Sequence, residues 1–153
     1  MSNLTLSQNG IAFIADNEAP GGNPVLTAYQ DQGGVWTIGF GHTSGVNEGD
    51  VCTRDQAFQW LSDDAQEAVQ GVNSLVSTAL NQNQFDALVD FTFNLGVGNL
   101  QRSTLLFLLN RGDYEDAADQ FSRWDIVAER PSTGLLSRRE RERRLFLSPV
   151  ETV

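Results

Sequence analysis

Tyr29-Gln-Asp31-Gln-Gly33-Gly34-Val-Trp36-Thr37-Ile-Gly39-Phe-Gly41-His42-Thr43 decides how this chain is read. Leu26 to Tyr29 and Val35 to Phe40 predict two short strands, and Asp31-Gln-Gly-Gly between them predicts the turn of a hairpin. The hairpin carries a carboxylate and a hydroxyl six residues apart, Asp31 and Thr37, and runs into a Gly39-Phe-Gly41 backbone with almost no side-chain cover. A second carboxylate, Glu18, lies thirteen residues upstream of Asp31. Two acids, a nearby hydroxyl and an open glycine floor are what acid/base cleavage of a glycosidic bond requires.

Upstream of the hairpin, Leu6, Ile11, Phe13 and Ile14 predict a short helix ending near Glu18. Ala19-Pro-Gly-Gly-Asn-Pro24 cannot continue it, because proline lacks the N–H donor and glycine favours turn geometry. Thr43 to Asp50 reads as a polar loop, and from Thr53 onward the pattern is helical. Thr53 with Gln56 forms a capping-box start, and the stripe Ala57, Leu61, Ala65, Ala68, Val72 predicts one helix long enough to bridge two lobes. A second apolar segment, Phe85 to Leu95, should stop at Gly96 and Gly98. Ser103 opens Leu105 to Leu109, and Asp113 opens a stripe through Ala117, Phe121 and Trp124. Ser137 with Glu140 predicts the cap of an arginine-rich helix ending at Leu145-Phe146-Leu147. The expected class is α+β: a small N-terminal lobe with a hairpin sheet, a connecting helix and an all-helical C-terminal lobe.

Composition bounds the function. A chain of 153 residues can bury a real core and suits a single domain of two lobes. It carries twenty acids, ten arginines and no lysine, with a net charge of −10, which argues against a nucleic-acid binder: there is no basic excess to displace phosphate counterions. The arginines Arg138, Arg139, Arg141, Arg143 and Arg144 read as a helix face laced with Glu140 and Glu142. No apolar run reaches membrane-spanning length and Met1 to Gln8 shows no signal-peptide pattern, so a soluble protein made in a cytoplasm, with no membrane anchor, is expected. Cys52 stands alone, which excludes an internal disulfide and suits a buried or semi-buried spectator thiol. Asp63 and Asp64 make a poor metal site, and neither metal nor cofactor is expected. Trp60 and Trp124 lie on helix stripes and are expected in the core, and Phe91 and Phe93 are too close to share one helical face.

Glu18 followed by Tyr29-x-Asp31-x5-Thr37-Ile-Gly39-Phe-Gly41-His42-Thr43 resembles the signature of the phage-type (T4-like) lysozymes, the endolysin muramidases. The block Gln84-Phe-Asp-Ala-Leu88 through Phe93-Asn94-Leu-Gly96-Val-Gly98 resembles the same family's central helix. Ser103-Thr-Leu-Leu, Asn110-x-Gly112-Asp-Tyr, Arg123-Trp124 and Gly134-Leu-Leu-Ser-Arg138-Arg139 follow in family order. The resemblance runs from Ile11 to Leu147 and implies a lysozyme-like fold in one domain, 1–153: an N-terminal lobe over about 12–55, a connecting helix over about 54–73 and a C-terminal lobe over about 74–148.

It also implies hydrolysis of the bond between N-acetylmuramic acid and N-acetylglucosamine in peptidoglycan. Glu18 is then the general acid, and Asp31 and Thr37 position the water. Inversion requires the two carboxylates to stand about 6.5–9.5 Å apart to admit that water. Tyr29, Thr43, Phe93, Asn94 and Ser103 match substrate-binding positions. His42, the only histidine, is expected to pair with Asp64, and Arg139 to hold Glu18. The implied setting is host lysis by a monomer that acts on glycan strands of the wall after release through a holin pore. Two further readings are a non-catalytic wall-binding or phage structural module of the same fold, and the killing domain of a bacteriocin. One departure stands out: the twelve residues between Glu18 and Asp31 exceed the family's spacer, with the extra length falling in Ala19 to Val25.

Overall fold

In the computed structural model, which describes residues 3–127 and 130–150, the chain divides into two compact units. One comprises Ile11–Gln66, and the other comprises the residues up to Gly10 together with those from Glu67 onward.

In the first unit, α1 (Gln8–Glu18) gives way after Ala19 to a 3-10 turn, Pro20–Gly22, because Pro20 cannot donate the next helical hydrogen bond. Strands β1 (Val25–Gln30) and β2 (Trp36–Gly39) pair antiparallel, with Tyr29 opposite Thr37 and Gln30 opposite Trp36. The following loop returns along the free edge of β1, where Ala28 N–H donates to the Asp50 carbonyl and Cys52 N–H donates to that of Leu26. Both edges of β1 are therefore occupied. α2 (Arg54–Asp64) starts at the Thr53 cap, whose side chain accepts from the Gln56 N–H. It packs on β2 at Gly39, where φ is +70° and a Cβ would stand 3.3 Å from that of Ala57. Ile14, Ile38, Phe40, Ala57 and Leu61 form the core.

The predicted connecting helix is two helices. α2 ends at Asp64, Ala65 is a turn, and α3 runs over Gln66–Leu75. Ala65 keeps helical φ and ψ of −79° and −10°, and the interruption sets Asp63 and Asp64 just ahead of α3, at the positive end of its dipole. The Gln66 side-chain amide donates to the Ser62 carbonyl just there.

The second unit is built on α4 (Gln82–Leu95). Asn81 and Gln84 cap each other reciprocally at its start, and every residue from Phe85 to Thr92 is buried, so it is a helix enclosed on all sides. Gly96, at φ +92°, ends it as predicted, whereas Gly98 lies inside α5 (Val97–Arg102) and stops nothing. Ser103 caps α6 (Thr104–Asn110). The stripe from Asp113 is shorter than expected: α7 (Tyr114–Asp119) closes into a 3-10 turn, Phe121–Arg123. A small unpredicted hairpin, β3 (Ile126–Val127) with β4 (Arg130–Pro131), precedes α8 (Thr133–Leu147).

The start of α8 differs from the expected one. Ser132, not Ser137, is the N-cap, and its hydroxyl accepts from the Leu135 N–H. Gly134 in the first turn hides this start from a sequence reading. Phe91, Phe121 and Phe146 join α4, the 3-10 turn and α8 through edge-on ring contacts. Trp60 and Trp124 are half-buried, a correction to their expected core placement. The segment before α1 is pinned to this unit, with Ser7 and Gln82 both donating to the buried Asp86 carboxylate. No helix among the described residues is long and apolar enough to cross a membrane.

Candidate active site

The hairpin holds Asp31 by a local mechanism. Its Oδ1 accepts from the N–H groups of Gly33, at 2.8 Å, and Val35, at 2.9 Å, while its own N–H donates to the Val35 carbonyl. Glycine at position 34, with φ +79°, makes the turn that aims both donors inward. Among the described residues no hydrogen bond falls on Oδ2. The carboxylate is exposed, oriented through one oxygen and open at the other.

Thr37, on β2, is 4% exposed. Its hydroxyl donates to the Val35 carbonyl at 2.9 Å, which commits the proton and leaves the oxygen as an acceptor. Tyr29 stands opposite it across the ladder, exposed, and Thr43 is exposed in the loop beyond β2. Glu18 is the last residue of α1 and is exposed, so burial does not desolvate it in the free protein. His42 Nδ1 lies 2.8 Å from Asp64 Oδ2, and the imidazole stacks on the Trp60 ring at 4.5 Å. That pair joins the strand end to the end of α2.

The longer spacer after Glu18 is tied down. Arg54, the first arginine in the chain, donates to Asn23 Oδ1 at 3.3 Å and to the Gly22 carbonyl at 3.4 Å. Gly22 has φ +67°, and a Cβ there would stand 2.5 Å from Asp16 Oδ1. The extra residues thus form a turn closed against α1 and α2, and the pairing of β1 with β2 shifts register between Val25 and Tyr29 before Tyr29 meets Thr37.

In the second unit Phe93 and Asn94 are half-buried near the end of α4, while Phe91 is fully buried against Phe121 and Trp124. Arg139 Nη2 donates to Asn94 Oδ1 at 2.5 Å, and its guanidinium lies over the Phe91 ring. Ser103 is buried and fully used as a cap: it accepts from the Leu106 N–H and donates to the Leu100 carbonyl. It also lines a cavity of about 420 Å³ with Leu95, Arg102, Gln120, Arg123 and Trp124.

The sequence model of the family described as Phage lysozyme matches residues 23–142. The chain belongs to the phage lysozyme family. It is 41% identical over 149 residues to the endolysin of Acyrthosiphon pisum secondary endosymbiont phage 1, across 95% of this chain and 99% of that one. A mutant of P22 lysozyme superimposes with a TM-score of 0.87 at 39% identity, covering 95% and 99% of the two chains. The muramidase domain of SpmX from Asticaccaulis excentricus gives 0.86 at 36% identity, with the same coverage. The fold is therefore lysozyme-like and the chain is a glycoside hydrolase. The family match begins at residue 23, downstream of Glu18.

Two features of this lysozyme escape a sequence reading. Arg54 is one; its partners lie some thirty positions away, and only the lack of earlier arginines marks it. The other is the arginine run, which is not simply a charged surface. Arg138, Arg139 and Glu142 are buried with Asp90 between α8 and α4. Arg138 clamps Asp90 through two bonds of 3.0 and 2.8 Å, and Arg139 Nε lies 3.0 Å from Glu142 Oε1. Burial, then the neighbouring Asp90, pushes the Glu142 carboxyl well above the usual range. Burial raises the Asp90 carboxyl, but neighbouring Glu142 and the Arg138 clamp, with the Arg139 charge, hold it below its usual range.

Proposed function

We propose that this lysozyme cleaves the glycosidic bond between N-acetylmuramic acid and N-acetylglucosamine in peptidoglycan with inversion, Glu18 acting as general acid and Asp31 with Thr37 holding the attacking water. The observation that carries the reading is the asymmetry of Asp31. Its Oδ1 is saturated by two backbone N–H groups, so the open Oδ2 is preset as an acceptor. The Thr37 hydroxyl has already donated its proton to Val35, so its oxygen is an acceptor too. A water that donates one proton to each directs its lone pair at the anomeric carbon. Asp31 takes the proton that water loses, and its charge stabilises the oxocarbenium-like transition state.

Glu18 supplies the other half by protonating the leaving oxygen. It is the last residue of α1 and is exposed, so the desolvation that a general acid needs comes from the bound glycan. Exposed Tyr29 and Thr43 bind sugar in the first unit, and Phe93 and Asn94 do so in the second. In the cell the protein acts as a monomeric endolysin released through a holin pore.

Purified cell walls should lose turbidity with wild type and not with Asp31→Asn, and the first-formed sugar should be the inverted anomer by proton NMR. No clearing by wild type between about pH 4 and 8, at low and high salt, rejects the enzyme in favour of a binding module.

A further inference from the structure

Asn94 is held by Arg139 in a way that fixes which end of its amide is offered outward. A guanidinium has donors and no acceptor, so the asparagine atom that faces it must be the oxygen. The side-chain NH2 then points away, and no protein acceptor engages it among the described residues. Arg139 itself cannot swing to release the amide. It is fully buried, its Nε edge lies 3.0 Å from Glu142 Oε1, and its plane rests over the Phe91 ring. Half-buried Asn94 therefore turns its NH2, with two N–H donors, away from Arg139, while its oxygen stays against the guanidinium.

Fixed polarity of this kind selects its ligand atom. A sugar hydroxyl can donate or accept and would be satisfied by an amide in either orientation. An amide carbonyl can only accept, so an outward-facing NH2 favours it and is left with an unpaired N–H when the carbonyl is missing. We propose that Asn94 reads the acetamido carbonyl of an N-acetylated sugar, and that Arg139, braced by Glu142 and Phe91, is the positioning residue that sets its amide. This rests on the reading of Asn94 as a glycan-binding residue and adds the group that it recognises.

The test needs no turnover. The Asn94 side-chain amide signals, assigned by their loss in Asn94→Asp, are followed by nitrogen-15 NMR during titration with an N-acetylglucosamine oligosaccharide and with the matching glucosamine oligosaccharide. The signals should move with the first and stay with the second. The N-acetylglucosamine oligomer carries no lactyl carboxylate, so a shift with it assigns the acetamido group. Asn94→Asp keeps the shape and removes both donors. It should raise KM on N-acetylated walls roughly three- to tenfold with kcat little changed, and should leave KM on de-N-acetylated walls unaltered. Arg139→Gln, whose own amide accepts either orientation of Asn94, should erase the difference between the two oligosaccharides. If that variant does not fold, the titration and Asn94→Asp decide alone.

Equal shifts with both oligosaccharides, no shift with either, or equal KM changes on both walls would overturn the proposal. A protein inert on walls but selective at Asn94 would sink the hydrolase reading only. An active one unselective at Asn94 would sink only this inference.

Discussion

The two carboxylate oxygens of Asp31 stand in different surroundings, Oδ1 bonded to the turn and Oδ2 open, and a substitution can separate them. An asparagine side chain in its place would still accept at Oδ1 from Gly33 and Val35, so Asp31→Asn should leave the hairpin and the thermal midpoint nearly unchanged. Its loss of charge and basicity should lower kcat by about 10²–10⁴ on purified walls, typical for removal of an acid/base group. Asp31 and Thr37 are legible in the sequence because what places them is local: a turn residue, two backbone donors and a strand register within seven residues. Arg54 is not legible, since its partners Gly22 and Asn23 come into reach only when α2 packs beside the turn. Arg54→Ala should speed hydrogen exchange at the Gly21–Asn23 amides and lower kcat/KM, as the spacer after Glu18 loosens. Unchanged exchange there would show that the turn holds without its anchor.

At the scale of elements, caps separate good sequence signals from misleading ones. Thr53 and Ser103 are found where the sequence places them, because a hydroxyl stands directly before an apolar periodic run. The start of α8 misleads, since Ser137-x-x-Glu140 has the form of a capping box yet lies a full turn inside the helix. Ser132→Ala should therefore cost about 1 kcal/mol of stability in denaturant melts, and Ser137→Ala well under half of that. The reverse order would return the helix start to Ser137. The connecting segment shows the same limit. Its apolar stripe continues through Ala65, so periodicity predicts one helix, while the structure interrupts it for one residue at Ala65, whose backbone stays right-handed helical at φ −79° and ψ −10°.

For the whole molecule, two electrostatic features set the expected behaviour. The first is the buried group of Asp90, Glu142, Arg138 and Arg139. Glu142 is raised in the folded state, so its contribution to stability is fully present at acid pH and is lost as pH rises through its folded value. Asp90 is lowered, and its contribution fades only as pH falls below the ordinary aspartate range. Glu142→Gln keeps a neutral donor facing Asp90 and cannot ionise. Relative to wild type it should gain on the order of 1–3 kcal/mol as pH rises toward the alkaline side, and little at acid pH, by urea titration. A constant difference across pH would remove Glu142 as the titrating group. The second feature is the net charge of −10, which repels an anionic wall. Added salt should therefore raise kcat/KM on intact walls until screening is complete, and a monotonic fall with salt would contradict this. The sequence by itself determined what neighbours a few residues apart can enforce: the hairpin, most caps, the order of helices, and an acid and a hydroxyl on one turn. Tertiary structure alone decided that Arg138, Arg139 and Glu142 are buried, that Arg54 closes the long spacer, and which way the Asn94 amide faces. Those outcomes depend on groups tens of residues apart meeting in a desolvated interior, where a charge must find its partner or keep a proton.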